Sequence, residues 1–173
     1  MKMDIVAGSQ NDEFYTPEYA VLPILKYLPR DKVIWCPFDT EDSNFVKILR
    51  DQEYIVILTH KDTGYDFFNY EPVGHYDYII SNPPYSLKNE VFERLFSLGK
   101  PFAMLVGVVG IFESQKRFNM FKDNDFEIMY MSKRISYFKN FADPKPSLNP
   151  PFSSVYICKG ILPKQIVFEE VNK

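Results

Sequence analysis

The sequence predicts an α/β protein: one mostly parallel sheet with helices on both faces. Three observations carry that prediction. Short apolar runs rich in β-branched residues alternate with segments of helical spacing. The run at residues 102–109 is apolar throughout, as a strand buried on both faces must be. A chain of 173 residues with 46% hydrophobic content is the size of one domain with an ample core. Strands and helices alternating at these lengths close into a sheet layered between helices.

The elements follow in order. Thr16 followed by Pro17 and Glu18 marks a helix start, with Thr16 as cap and Pro17 in the first helical position, and the helix is expected to reach Leu28. Residues 32–35 read as the first buried strand, 44–51 as a helix and 54–58 as a β-branched second strand. Residues 77–81 form a strand that ends at a proline pair. Val91, Phe92, Leu95 and Phe96 give 90–98 a helical stripe, and 102–109 follows as a buried strand. Residues 126–131 and 155–158 supply later strands, the second suited to run antiparallel to a neighbour.

Cys36 and Cys158 are far apart and in no metal-like spacing, so neither a disulfide framework nor a zinc site is expected. The N-terminus lacks an apolar signal core, and no apolar run approaches the ~18–20 residues that span a bilayer. A soluble, cytoplasmic protein without a membrane partner is expected. Net charge is -3, which does not itself point to nucleic acid, but its distribution is uneven. Residues 1–110 carry 10 basic and 16 acidic side chains, whereas 111–150 carry 7 basic and 5 acidic ones. In the latter segment Lys116, Arg117, Lys122, Lys133, Arg134, Lys139 and Lys145 are interleaved with Phe118, Phe121, Tyr130, Tyr137 and Phe138. The mixture suits contact with a phosphate backbone and splayed bases, and it equally suits a solvated face over core aromatics.

The most specific feature is Asn82-Pro83-Pro84-Tyr85, which closes the apolar run Tyr78-Ile79-Ile80 after Asp77. Each proline locks φ and pushes its predecessor out of the helical region, and neither can donate to a ladder. The strand must stop there and a stiff loop begin, with an aromatic ring at its tip. The Asn82 side-chain oxygen and the Pro83 carbonyl can accept hydrogen bonds from a planar NH2 group, drawing a delocalised nitrogen towards a nucleophilic, tetrahedral shape, while Tyr85 stacks on the ring that bears it. Such a base must be flipped out or arrive single-stranded. This segment resembles the catalytic loop of the S-adenosylmethionine-dependent amino-group methyltransferases, especially the small phage-type adenine-N6 DNA methyltransferases. The resemblance implies a Rossmann-like fold, S-adenosylmethionine as cofactor, and Asn82, Pro83, Pro84 and Tyr85 as the catalytic loop. RNA adenine and protein glutamine are alternative acceptors, and a non-catalytic, methyltransferase-shaped binding protein is a reading of a different class. A second copy, Asn149-Pro150-Pro151-Phe152, enters a strand instead of leaving one and reads as a turn. His60 and His75 are assigned no catalytic or metal role.

The resemblance also implies cofactor-binding positions. Tyr15, Thr16 and Pro17, after Phe14, are similar to the family's element before the first strand. Pro37, Phe38 and Asp39 correspond to the turn after that strand, with Asp39 as acceptor for the methionine ammonium. Asp66 and Phe67 are similar to the segment that contacts the cofactor's adenine. Two departures stand out: the turn at 37–45 lacks the family's glycines, so Ser43 and Asn44 must build it differently, and Thr59-His60 occupies the end of the second strand where relatives place a ribose-binding acid. The chain is expected to form a single domain in which residues 111–152 could serve target recognition. Ser114, Lys116, Arg117 and Arg134 are the expected DNA contacts, with a second subunit as a possible source of selectivity.

Overall fold

A computed structural model of the protein describes residues 15–138, 146–148 and 152–173. In chain order the elements are α1 (Glu18–Leu25), β1 (Val33–Cys36), α2 (Asn44–Asp51), β2 (Ile55–Leu58), β3 (Tyr78–Ser81), α3 (Lys88–Leu98), β4 (Phe102–Gly107), α4 (Gln115–Lys122), β5 (Glu127–Met131), β6 (Tyr137–Phe138), β7 (Pro146–Leu148), β8 (Ser154–Lys159) and β9 (Ile166–Glu169). Short 3₁₀ turns occupy Lys61–Thr63 and Tyr85–Leu87.

Seven strands form one sheet in the order β2-β1-β3-β4-β8-β5-β9. Every neighbouring pair is parallel except those made by β8, which runs antiparallel to both β4 and β5. The alternation of side chains along each strand divides the core in two. Ile34, Cys36, Ile80 and Leu105 face Ala20, Val21 and Ile24 of α1 and Phe45 and Leu49 of α2. Trp35, Ile79, Met104 and Val106 face Val91, Phe92 and Leu95 of α3 and Phe121 of α4. Both faces are therefore covered, as the buried apolar strands require. β6 and β7 make a separate two-stranded ribbon, joined to the N-terminal segment by a bridge between Tyr15 and Phe138.

Chain order changes direction at β1: β2 lies on one side of it and β3 on the other. In open α/β sheets ligands gather outside the carboxyl ends of the strands at such a switch point, here the ends of β1 and β3. Asp77 fixes that pair in register. Its Oδ2 accepts from Val33 N at 2.8 Å, its own N–H donates to Val33 O at 2.8 Å, and the bond from Val33 is the main reason its carboxyl titrates below the usual range.

Several boundaries differ from the sequence-based expectations, each for a local reason. α1 starts at Glu18 with Pro17 as its cap residue, because the Thr16 hydroxyl is engaged elsewhere. It ends at Leu25, since Tyr27 and Leu28 donate three residues back instead of four. β4 stops at Gly107, where Lys88 takes the Gly107 carbonyl. α4, the β6–β7 ribbon and β9 were not expected from the sequence. Residues 115–131 of the presumed recognition segment form α4 and β5, and β5 belongs to the main sheet. Asn149, Pro150 and Pro151 lie outside the described residues, as do Phe14, Lys139 and Lys145.

Phe92 is 3% exposed and touches the rings of Phe96, Phe102 and Phe121. Phe92→Ala is expected to cost about 3–5 kcal/mol, read as a lower midpoint in urea with an unchanged slope.

Candidate active site

Thr16 joins three segments that are distant in sequence. Its hydroxyl accepts from Asn82 Nδ2 at 3.1 Å, and its carbonyl accepts from Asn44 Nδ2 at 2.9 Å. The segment before α1, the start of α2 and the loop after β3 are thereby held at one point, and Thr16 itself is buried. A second tie crosses the same gap: Ser81 Oγ donates to Asp39 Oδ2 at 2.5 Å, joining the last residue of β3 to the turn after β1.

The turn after β1 needs no glycine. Ser43 N donates to Thr40 O at 3.0 Å, while Ser43 Oγ accepts from Thr40 N at 3.1 Å. Ser43 keeps φ at −67°, and the positive-φ non-glycine residues of the described chain, Asp31 and Glu53, lie outside this turn. Asn44 begins α2 and turns its amide to Thr16.

These ties frame a cleft with about 650 Å³ of space, partly open to solvent, lined by Tyr15, Thr16, Asp39, Asp62, Asn82 and Pro84 among others. A second hollow of about 420 Å³ is lined by Pro37, Lys61, Asp66, Phe67, Phe68 and Leu87. The two share Phe38, His60 and Pro84 in their walls and so form one bipartite cleft. The first part has carboxylates in its wall, from buried Asp39 and exposed Asp62, suited to a cationic group. The second is largely aromatic and apolar, suited to a flat ring. Phe67 is 2% exposed and packs on Trp35 and Phe38, so it contributes mainly as support. Asp66 Oδ1 accepts from Phe68 N at 3.0 Å, which fixes its loop.

The structure brings Tyr15, Thr16, Phe38, Asp39, Asn82 and Pro84 to one cleft and Pro37, Asp66 and Phe67 to its extension, while Pro17 and Pro83 are buried without lining either. Tyr85 differs from the expectation of an exposed ring at the loop tip. It is 9% exposed and packs against Phe152 with ring centroids 5.5 Å apart. Gly107 makes room for that pair: a Cβ there would lie 2.6 Å from the Phe152 ring and 3.2 Å from that of Tyr85. Burial of two aromatic surfaces outweighs exposure of one. Burial also pushes the phenols of Tyr85 and Tyr137 up, the latter to about 12, so neither accepts a proton at neutral pH.

His60 and Asp62 are site residues that sequence reasoning passed over. His60 is buried between the two hollows, and its Nδ1 accepts from Asp62 N at 3.1 Å, capping the 3₁₀ turn. An acid follows β2 four residues beyond its end at Leu58, in the stretch Thr59-His60-Lys61-Asp62, carried there by the 3₁₀ turn at Lys61–Thr63 rather than by the strand's last residue. Among the described residues, no group of three or more His, Cys, Asp or Glu side chains could hold a metal ion.

The expected DNA-contacting residues are not one free cluster. Ser114 caps α4 by accepting from Arg117 N at 3.1 Å. Arg117 donates to Asn89 Oδ1 at 2.6 Å and to Gly110 O, and Lys116 pairs with Glu93 at 2.9 Å. Arg134 is exposed in the loop after β5. That loop, the one after β4 and the approach to β8 all lie at the carboxyl end of the parallel strands, the end that carries the cleft.

Lys88, just beyond the Asn82–Tyr85 loop, is buried with Nζ 3.3 Å from Gly107 O, 3.4 Å from Val109 O and 5.2 Å from the centre of the Tyr85 ring. Burial, and then the charge of Arg117, lower its pKa from 10.5 to about 8, with Glu113 opposing. The unfolded chain retains this proton to higher pH than the folded one. Between those values the unfolded state therefore binds more protons, and folded stability rises with pH. Relative to Lys88→Met, the native protein is expected to gain roughly 2–3 kcal/mol between about pH 8 and about pH 10.5, read from urea melts across that interval.

No protein-family model and no curated protein matches the chain. Among solved structures it is similar to a modification subunit assigned to a type I restriction enzyme of Vibrio vulnificus YJ016, with a TM-score of 0.50 and 12% identity. The match covers 91% of this chain and 46% of that one, so the chain spans less than half the length of that subunit. At this identity the likeness is one of fold. The protein has an α/β fold with a seven-stranded, mostly parallel sheet containing an antiparallel strand, as in Rossmann-like methyltransferases.

Proposed function

We propose that this chain transfers a methyl group from S-adenosylmethionine to the exocyclic amino nitrogen of adenine in DNA. The observation that carries this reading is the position of Asn82 and Pro84 in the wall of an acid-lined cleft at the switch point of the sheet. S-adenosylmethionine, when bound, supplies an electrophilic methyl on a sulfonium centre. The cleft fits that group: Asp39 and Asp62 suit its cationic amino-acid and ribose end, and Phe38, Phe67 and Phe68 suit its flat base. Asn82, fixed through Thr16, and the Pro83 carbonyl are assigned to accept the hydrogens of the target amine. The task of these groups is positioning, which fits a site whose nearby phenols remain protonated.

The similar solved structure is a modification subunit, which supports DNA as substrate and a separate subunit for target selection. Within this chain the single domain carries substrate contacts at its carboxyl-end loops, with Ser114 and Lys116 on one side and Arg134 on another. Arg117 is assigned to shape that surface from beneath, since its guanidinium holds Gly110 and Asn89. The buried Tyr85 favours a second reading, a methyltransferase-shaped protein that binds its ligands without turnover.

Two measurements separate these readings. Nucleoside mass spectrometry of DNA treated with the protein is expected to show N6-methyladenine, and Asn82→Ala is expected to lower that rate by about 10²–10³-fold with cofactor affinity retained. Methyl label entering RNA or protein but not DNA would reassign the acceptor; cofactor binding with no labelled acceptor would favour the non-catalytic reading. Asp39→Asn is expected to weaken S-adenosylmethionine binding by roughly 10–100-fold in calorimetry, through loss of a charge-assisted contact.

A further inference from the structure

At the far edge of the sheet, β9 pairs with β5 alone; no described strand pairs with its outer side. Its exposed face is apolar: Ile166 is 48% and Phe168 74% exposed, and Phe168 lies 5.7 Å from the ring of Tyr130, itself 54% exposed. Sheet edges are normally blunted by proline, a bulge or an inward charge. β9 contains no proline and keeps regular register against β5. Its one acid, Glu169, points inward, but Lys26 and Tyr27 satisfy it there, so no unpaired charge guards the outer side.

We propose that two copies of this chain join edge to edge through β9, antiparallel across a two-fold axis, making one continuous sheet. The backbone parity of the strand fixes how they meet. Gln165 O accepts from Ile128 N at 2.7 Å and Glu169 O from Ser132 N at 3.0 Å, so the odd-numbered residues face β5. Alternation then directs the N–H and C=O of Ile166 and Phe168 outward. Opposed residues in an antiparallel pair exchange both bonds only when both face the partner strand. Centring the two-fold on Val167 meets that condition, setting Ile166 opposite Phe168 of the second copy. The same register brings exposed Lys164, before the strand, to exposed Glu170, after it, twice across the axis. Strand ends of opposite charge make this edge complementary to itself in antiparallel and self-repelling in parallel. A second copy therefore fits the edge better than an unrelated strand, and its Phe168 and Ile166 lie beside Ile166 and Phe168 on one face of the joined sheet.

Sedimentation equilibrium of the whole chain at on the order of 100 µM tests this. The expected mass is about twice the 20.4 kDa of one chain. In Phe168→Pro the lost N–H faces outward, so one copy keeps its own ladder while the joint loses a donor on each side; this variant is expected to be monomeric with an unchanged circular dichroism spectrum. A monomeric native protein at that concentration, or a dimer undiminished in Phe168→Pro, overturns the proposal. Should that variant fail to fold, the charge pair decides. Glu170→Lys is expected to weaken the dimer on the order of tenfold, and the double exchange with Lys164→Glu to restore it. A double variant as weak as the single one overturns the proposal.

Discussion

The cleft depends on one buried threonine that accepts two amides. Thr16 takes Asn82 on its hydroxyl and Asn44 on its carbonyl, and these segments have no covalent reason to meet. Losing either bond would leave a partly buried amide short of a partner, a cost comparable to a folding-scale interaction. The pair therefore acts as a lock. The segment before α1 cannot shift without moving the loop after β3, and the bridge from Tyr15 to Phe138 extends the same tie to the β6–β7 ribbon. A bond from Ser81 to Asp39 repeats the device one residue deeper, so the turn after β1 and the end of β3 are held together from both sides.

Charge is distributed by depth. The cleft wall carries Asp39 and Asp62, while two cations behind the loop, Lys88 and Arg117, are turned inward on the carbonyls of Gly107, Val109 and Gly110. Those carbonyls belong to the end of β4 and the turn after it, where the sheet ladder stops and Gly110 O also accepts from Glu113 N at 3.4 Å. The cations give the turn its partners, and the Tyr85–Phe152 pair rests against it through Gly107. A basic stretch that looks like a nucleic-acid patch in one dimension is, in three, partly the scaffold of the loop next to the site.

Much of the fold was legible because its signals are local. α2 occupies residues 44–51 as its amphipathic spacing indicated, and β3 ends at Ser81 because Asn82-Pro83-Pro84 cannot continue a ladder. The later strand that suited an antiparallel course, β8, takes it against both β4 and β5. α4 was obscured by its polar sequence, in which Phe118 is exposed and Phe121 alone is buried. β9 was missed because it is a four-residue edge strand whose register comes from β5. The absent glycines misled for a physical reason: glycine is needed for positive φ, and Ser43 closes this turn with φ negative throughout its own hydrogen-bonded ring.

The sequence by itself determined the layered α/β class, the strand that terminates in a rigid proline corner and the acid and aromatic residue types available to a cleft, since backbone stereochemistry and side-chain periodicity act over a few residues. Only the tertiary structure decided which of those residues share a wall. Asp62 and His60 join the cleft through the turn after β2, Tyr85 withdraws from it against Phe152, and Arg117 leaves the surface for Gly110. Such choices depend on contacts between segments tens of residues apart, where burial and hydrogen-bond satisfaction outweigh any preference encoded locally.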